Sequence, residues 1–228
     1  FFEDAVKASR ELGLTLTSRN KEKNVDIPLA GVPFHSADSY ITKLVSKGYK
    51  VAICEQVSDV VPGELTERKI VEVITPGTAT GEDFLEQGQN NYLAAVYCTP
   101  KEITCGTVTD LFIGFAYLDV STGEFFATSF PRSDFAEQFK KELGRIQPRE
   151  ILIQISLADS VPVLKALCEE YPQMLQNLYP DWHFSAASAE KRLCACFGTE
   201  NLKPFALTAA SPELPPAGLL LQYLDQTT

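Results

Sequence analysis

The chain has 228 residues, 45% hydrophobic and 22% charged, an ordinary globular composition long enough for two domains. It holds no run of about 18 apolar residues, and its opening Phe1-Phe2-Glu3-Asp4 lacks a basic start, so neither a membrane helix nor a secretory leader is expected. A net charge of −10 argues against a strong stand-alone nucleic-acid binder, because phosphate neutralisation dominates such affinity.

Residues 3–12 set Ala5, Val6, Ala8 and Leu12 among charges, the pattern of a short amphipathic helix, which Gly13 stops. Opening on two Phe inside that helix reads as a cut end. Residues 14–17 alternate as a strand does, and the polar stretch 19–26 predicts a loop or hairpin tip. After the extended, Pro-punctuated 27–35, Ser36 is placed to cap a helix running to Lys47, and Gly48 ends it. Strands are predicted at 50–55 and 69–75, with Pro76-Gly77 turning the chain. Residues 78–90 are polar with a short helical centre, the composition of a linker.

From Tyr92 the character changes. Strands are predicted from 93 to 97, 112 to 120 and 124 to 128, with Ser121-Thr122-Gly123 as the turn between the last two. A helix at 135–143, a strand at 150–154, a helix within 157–171, a helix at 187–197 and a last one from 216 complete the chain. Hairpin strands that give way to helix–strand alternation predict an α/β protein with a mixed sheet flanked by helices.

Charge is uneven. Residues 1–50 hold eight Lys/Arg against six Asp/Glu, a balance of +2 that leaves −12 on the rest. A mildly basic head on an acidic body points weakly to a polyanion contact at the head. The six Cys are scattered, several in apolar surroundings, as buried reduced thiols are. Cys194-x-Cys196 with His183 falls short of the four ligands of a structural zinc, so no metal is expected.

Motifs for chemistry are missing. There is no G-x-x-x-x-G-K-[ST], no G-x-G-x-x-G and no G-x-S-x-G, so no nucleotide site and no catalytic residue is assigned. His35 precedes a helix and reads first as a hydrogen-bonded anchor of its entry; His183, between Trp182 and Phe184, reads as a packed residue near an aromatic cluster. The second half resembles a ribonuclease-H-type sheet, whose enzymes hold Mg²⁺ with several acids. Asp119 is the one acid well placed for that, and it also suits a turn; a lone Asp cannot hold a metal pair, so nuclease activity is rejected.

Six segments, in this order and spacing, resemble the MutS family of DNA mismatch-recognition proteins. Ala30-Gly31-Val32-Pro33-Phe34-His35 matches A-G-[IV]-P-[FY]-H, and residues 50–56 match its V-A-I-C-E-Q strand. Residues 71–78 resemble V-x-x-[IV]-T-P-G-T, and residues 118–123 resemble the L-D-[IV]-S-[ST]-G hairpin of its second domain. Phe197-Gly198-Thr199 with residues 219–224 fit the later part of that domain. The resemblance covers essentially the whole chain. It implies a mismatch-recognition domain of α+β, mixed-sheet type at 1–88, lacking its N-terminal part, and a connector domain at 89–228 that is ribonuclease-H-like in fold only.

The family reads mismatches with Phe-x-Glu in G-D-F-Y-E-x-F-x-D-D-A. Phe1-Phe2-Glu3 looks like that pair, but Glu3-Asp4-Ala5 fits the end of the pattern, which makes Phe1 its second Phe and sets the wedge before residue 1. The resemblance implies DNA-contact candidates Arg19, Arg68, Lys69, Pro33 and His35, against solvated charge or plain scaffold. It implies mismatched duplex DNA as partner of the full-length protein and a MutL-type protein at the connector, with Lys191 and Arg192 as a weak candidate patch. Self-association through other domains, ATP and Mg²⁺ only in a later ATPase domain, no cofactor in these residues, and a cytoplasmic location are also expected. The alternative is a protein-interaction module without independent DNA binding.

Overall fold

A computed structural model of the chain describes residues 1–19, 26–58, 66–80, 89–99 and 112–227. The first half begins with α1 (Phe2–Leu12), acidic in its first turn and basic in its last, as the helix dipole favours. Gly13 ends it in the left-handed region at φ 68, its N–H bonded to the Ser9 carbonyl. Strand β1 (Thr17–Arg19) pairs antiparallel with β2 (Ile27–Leu29). The strand expected at 14–17 therefore begins at its last residue: Ser9 Oγ donates to the Leu14 carbonyl at 2.6 Å and holds the chain against the helix end. The predicted hairpin tip at 20–25 lies outside the described residues.

A 3-10 turn (Phe34–Ser36) leads into α2 (Ala37–Ser46). Ser36 holds the N-cap position, but its hydroxyl makes no capping bond; instead Ser39 Oγ donates back to the Ser36 carbonyl at 2.9 Å. The Lys47 ammonium reaches the Glu11 carbonyl and carboxylate, tying α2 to α1. Strands β3 (Val51–Gln56) and β4 (Arg68–Ile74) form an antiparallel ribbon with a register shift at Ile53/Cys54. In the first half the described strands thus pair as two antiparallel ribbons, and the mixed sheet lies in the second half.

That sheet has five strands in the order β7-β6-β5-β8-β9. Strands β5 (Tyr92–Tyr97), β6 (Phe112–Asp119) and β7 (Glu124–Pro131) are antiparallel neighbours; β8 (Glu150–Gln154) and β9 (Leu175–Tyr179) run parallel to β5. Helices α3 (Phe135–Ile146), α4 (Ile155–Ser160) and α5 (Pro162–Glu169) serve one face, and α6 (Ala186–Phe197) and α7 (Leu214–Thr227) the other. The helix expected within 157–171 is two: Pro162 at the first position of α5 cannot donate to a preceding carbonyl, so the first helix stops at Ser160. Strand β9 went unpredicted. Its Leu-Gln-Asn-Leu-Tyr is short and half polar, as befits an edge strand.

Central strands covered on both faces are apolar throughout. Ala94, Val96, Phe115, Phe139, Leu143, Ile151 and Leu164 build one core, and Leu93, Ala95, Leu152, Leu193, Leu214 and Leu220 the other. Each large side chain so buried contributes about 1.5–3 kcal/mol. Across residues 1–74 only Ala5 and Val45 are buried hydrophobics among those described. The core of the described residues thus lies almost wholly in the second half.

Candidate nucleic-acid interface

The most exposed apolar feature of the head is the loop between β2 and α2. Gly31, Val32, Pro33, Phe34 and His35 are all exposed, and the Phe34 ring is 93% accessible. Pro33 holds an extended φ of −63 and directs the following 3-10 turn. His35 is not the hydrogen-bonded anchor expected: its ring faces solvent and makes no hydrogen bond among the described residues. Phe34 carried no role in the sequence beyond its place in the family motif, and its exposure was missed. An aromatic ring left in water on an exposed loop can stack on or wedge beside a base.

The basic candidates stand apart. Arg19 is exposed at the far end of the β1–β2 ribbon, opposite Ile27 rather than Leu29, where the loop departs. Arg68 and Lys69 are exposed at the free end of the β3–β4 ribbon, opposite Gln56 and Glu55, and Lys69 pairs with Glu67 at 3.3 Å. Arg19 and Arg68 have no carboxylate partner among the described residues. Among those residues, too, no hydrogen bond or ion pair joins the basic candidates to Pro33 or His35. At the N-terminus, the rings of Phe1 and Phe2 are 54% and 62% exposed, and Ala5 alone of α1 is buried. A Phe1 ring packed in the helix core, the arrangement expected if the wedge lies before residue 1, is not found.

The two halves meet at a built polar seam. Thr75, Pro76, Gly77 and Ala79, beyond the end of β4, are buried. Asn91 Nδ2 donates to the carbonyls of Pro76 and Ala79 at 2.9 and 3.0 Å. Glu150, fully buried at the head of β8, accepts from Gly77 N–H (3.0 Å), Asn177 Nδ2 (2.6 Å) and Tyr223 Oη (2.6 Å). Lys50 Nζ lies 3.5 Å from Glu150 Oε1 and 5.2 Å above the Tyr223 ring. Burial and the neighbouring Glu150 charge push the Tyr223 phenol well above its usual range. A Cβ on Gly77 would stand 2.9 Å from Glu150 Cβ and from Leu93 Cδ1, which explains a glycine in Thr-Pro-Gly-Thr. Sequence reading missed Glu150. Its signal was a charge opening an otherwise apolar strand, which demands a partner.

Asp119 is buried at the end of β6. Oδ1 accepts from the N–H and hydroxyl of Ser121, and Oδ2 accepts from Asn91 N–H, so it serves the turn and the seam. His183 Nδ1 lies 3.0 Å from Gln222 Nε2, and its ring stands edge-on to Tyr179. Lys191 is exposed, whereas Arg192 is paired with Asp225 at 2.5 Å; both line a cavity of about 680 Å³ with Ser188 and Leu221.

The family model described as MutS domain I matches residues 1–83, and that described as MutS domain II matches residues 91–228. A "DNA mismatch repair protein MutS" of Treponema denticola is 59% identical over 226 residues, covering 99% of this chain and 25% of that protein. Proteins of the same description from Treponema pallidum and Fusobacterium nucleatum are 45% and 39% identical, over 100% and 99% of this chain and 24% of each relative. The chain thus spans about a quarter of the length of the curated relatives it matches. No helix among the described residues is long and apolar enough to cross a membrane. Matched across both halves, with relatives of one description along its full length, the chain belongs to the MutS family and corresponds to its domains I and II.

Proposed function

We propose that the chain is the DNA-reading head, residues 1–88, and the connector, residues 89–228, of a cytoplasmic protein that recognises mispaired and unpaired bases in duplex DNA. The observation that carries this is the solvent-exposed ridge Val32–Pro33–Phe34–His35 on the less acidic end of an otherwise acidic chain. A mismatch stacks weakly, so bending it around an apolar ridge costs less than bending a paired duplex, and deformability is what is read. Arg19, Arg68 and Lys69 contact phosphates and set register without reading sequence. The whole protein is a DNA-dependent ATPase whose ATP and Mg²⁺ are bound by a domain other than these two, and this chain's own residues hold no cofactor. The connector passes the head's state to that domain and offers a face to a MutL-type partner, with Lys191 as a contact; self-association uses other domains.

Fluorescence anisotropy of labelled homoduplex and heteroduplex across a salt series tests this reading. Weak, salt-dependent binding with little mismatch preference is expected of the chain alone. Binding that does not change with salt, or none at low salt, overturns a DNA-contacting head and favours an interaction module.

A further inference from the structure

Glu150 is a fully buried carboxylate whose ion-pair partner among the described residues, Lys50, belongs to the other domain. Its two oxygens divide the donors. Oε1 takes the connector's Asn177 and Tyr223 together with Lys50, and Oε2 takes the Gly77 amide. Lys50 directly precedes Val51, the register partner of Ile74, so Glu150 reaches the root of the β3–β4 ribbon through Lys50 and the turn beyond it through Gly77. Apolar packing does little to fix the head, which buries only Ala5 and Val45 among described residues before Thr75. Asn91 clamps the turn at Pro76 and Ala79 but does not reach the ribbon.

We infer that Glu150 is a positioning residue that sets the pose of the head on the connector, through the Gly77 amide and the Lys50 ammonium. Calling that head DNA-reading rests on the proposed function; the pose itself does not. A charge buried between domains is costly unless every donor is in place, so it favours one arrangement over its neighbours. Gly77 sharpens this, since only bare backbone fits against Glu150.

Glu150→Gln separates the two domains' claims. Its carbonyl oxygen can still accept from Asn177 and Tyr223, while its amide N–H would face the Gly77 N–H and offer no charge to Lys50. Spin labels at Asp38→Cys on α2 and Lys165→Cys on α5, with Cys54, Cys105, Cys194 and Cys196 replaced by Ser, report the head–connector distance by electron double resonance. One narrow distribution is expected for the parent. In Glu150→Gln it should widen about twofold, as one pose becomes an ensemble, with the connector's melting transition retained. Lys50→Met, which keeps the stem over Tyr223, should widen it less. Parent width in folded Glu150→Gln overturns the inference. Should Glu150→Gln fail to fold, Lys50→Met decides: widening supports the inference and parent width overturns it. The measurement uses no DNA, so failure of the DNA-reading proposal leaves its outcome distinct.

Discussion

The Asn91 main-chain N–H donates to Asp119 Oδ2 at 2.9 Å, joining the entry of β5 to the exit of β6, where Tyr92 and Asp119 are register partners. Asp119→Ala would leave the buried Asn91 amide without its acceptor, at about 1–3 kcal/mol, while the amide of exposed Ser121 can turn to water. Calorimetry should show a fall in Tm of about 2–4 °C per kcal/mol. Asp119→Asn, which keeps one acceptor oxygen, should fall less.

Two of the family-motif glycines, Gly31 and Gly77, should behave oppositely. At Gly31 a Cβ meets nothing within 4 Å, so Gly31→Ala should change stability by less than about 0.5 kcal/mol. At Gly77 the added carbon collides with Glu150 and Leu93, so Gly77→Ala should cost about 1–3 kcal/mol. Equal denaturation midpoints for the two variants would show that the seam yields freely.

Most of the second half was legible because a sheet buried on both faces writes itself as apolar runs; residues 150–154 were read to the residue. What failed was local. Strand β9 hides because Gln176 and Asn177 interrupt its apolar residues, and the 157–171 helix split because one proline removes one donor. The site was less legible than the fold. The motif around Pro33 was visible, but the exposure of Phe34 arises from where β2 and α2 leave the loop, which periodicity does not encode. Nor does a sequence show that Lys50 and Glu150, a hundred positions apart, meet at one buried carboxylate. The helical centre read into the linker falls on 81–88, outside the described residues, as does Cys105.

Phe34→Ala should leave Tm unchanged, since its ring is already in water, yet weaken heteroduplex binding by the ~1–3 kcal/mol of a lost base–aromatic contact. Arg19→Ala should weaken all duplexes alike and reduce the salt slope by about 1. Phe1→Ala should leave duplex binding unmoved; a clear mismatch preference in the parent that this variant loses would make Phe1 the wedge and shift the register.

Alkali should unfold the protein through its tyrosines. Burial, then a hydrogen bond to Glu124, pushes Tyr92 up to about 12 from an ordinary value near 10. A raised pKa means the folded state holds its proton longer, so this contribution is complete below pH 10 and is lost as pH rises towards 12. Tyr92→Phe should flatten the fall in Tm across that window.

Thiol reactivity should split by burial. Cys54 and Cys196 are exposed and should react with a disulfide reagent at about pH 8 without denaturant. Cys168 is buried, with its pKa pushed up to about 12 by desolvation, and should react only on unfolding. Rapid Cys168 labelling, read by mass spectrometry, would contradict the packing of α5.

With nearly all large buried side chains among the described residues lying beyond residue 92, the interior is lopsided. The five-stranded sheet presents Glu150, Asn91 and Leu93 as a mould in which the Thr75–Ala79 turn is seated. The first half thus leans on Glu150 at the head of β8, a neighbour's side chain, more than on an interior of its own.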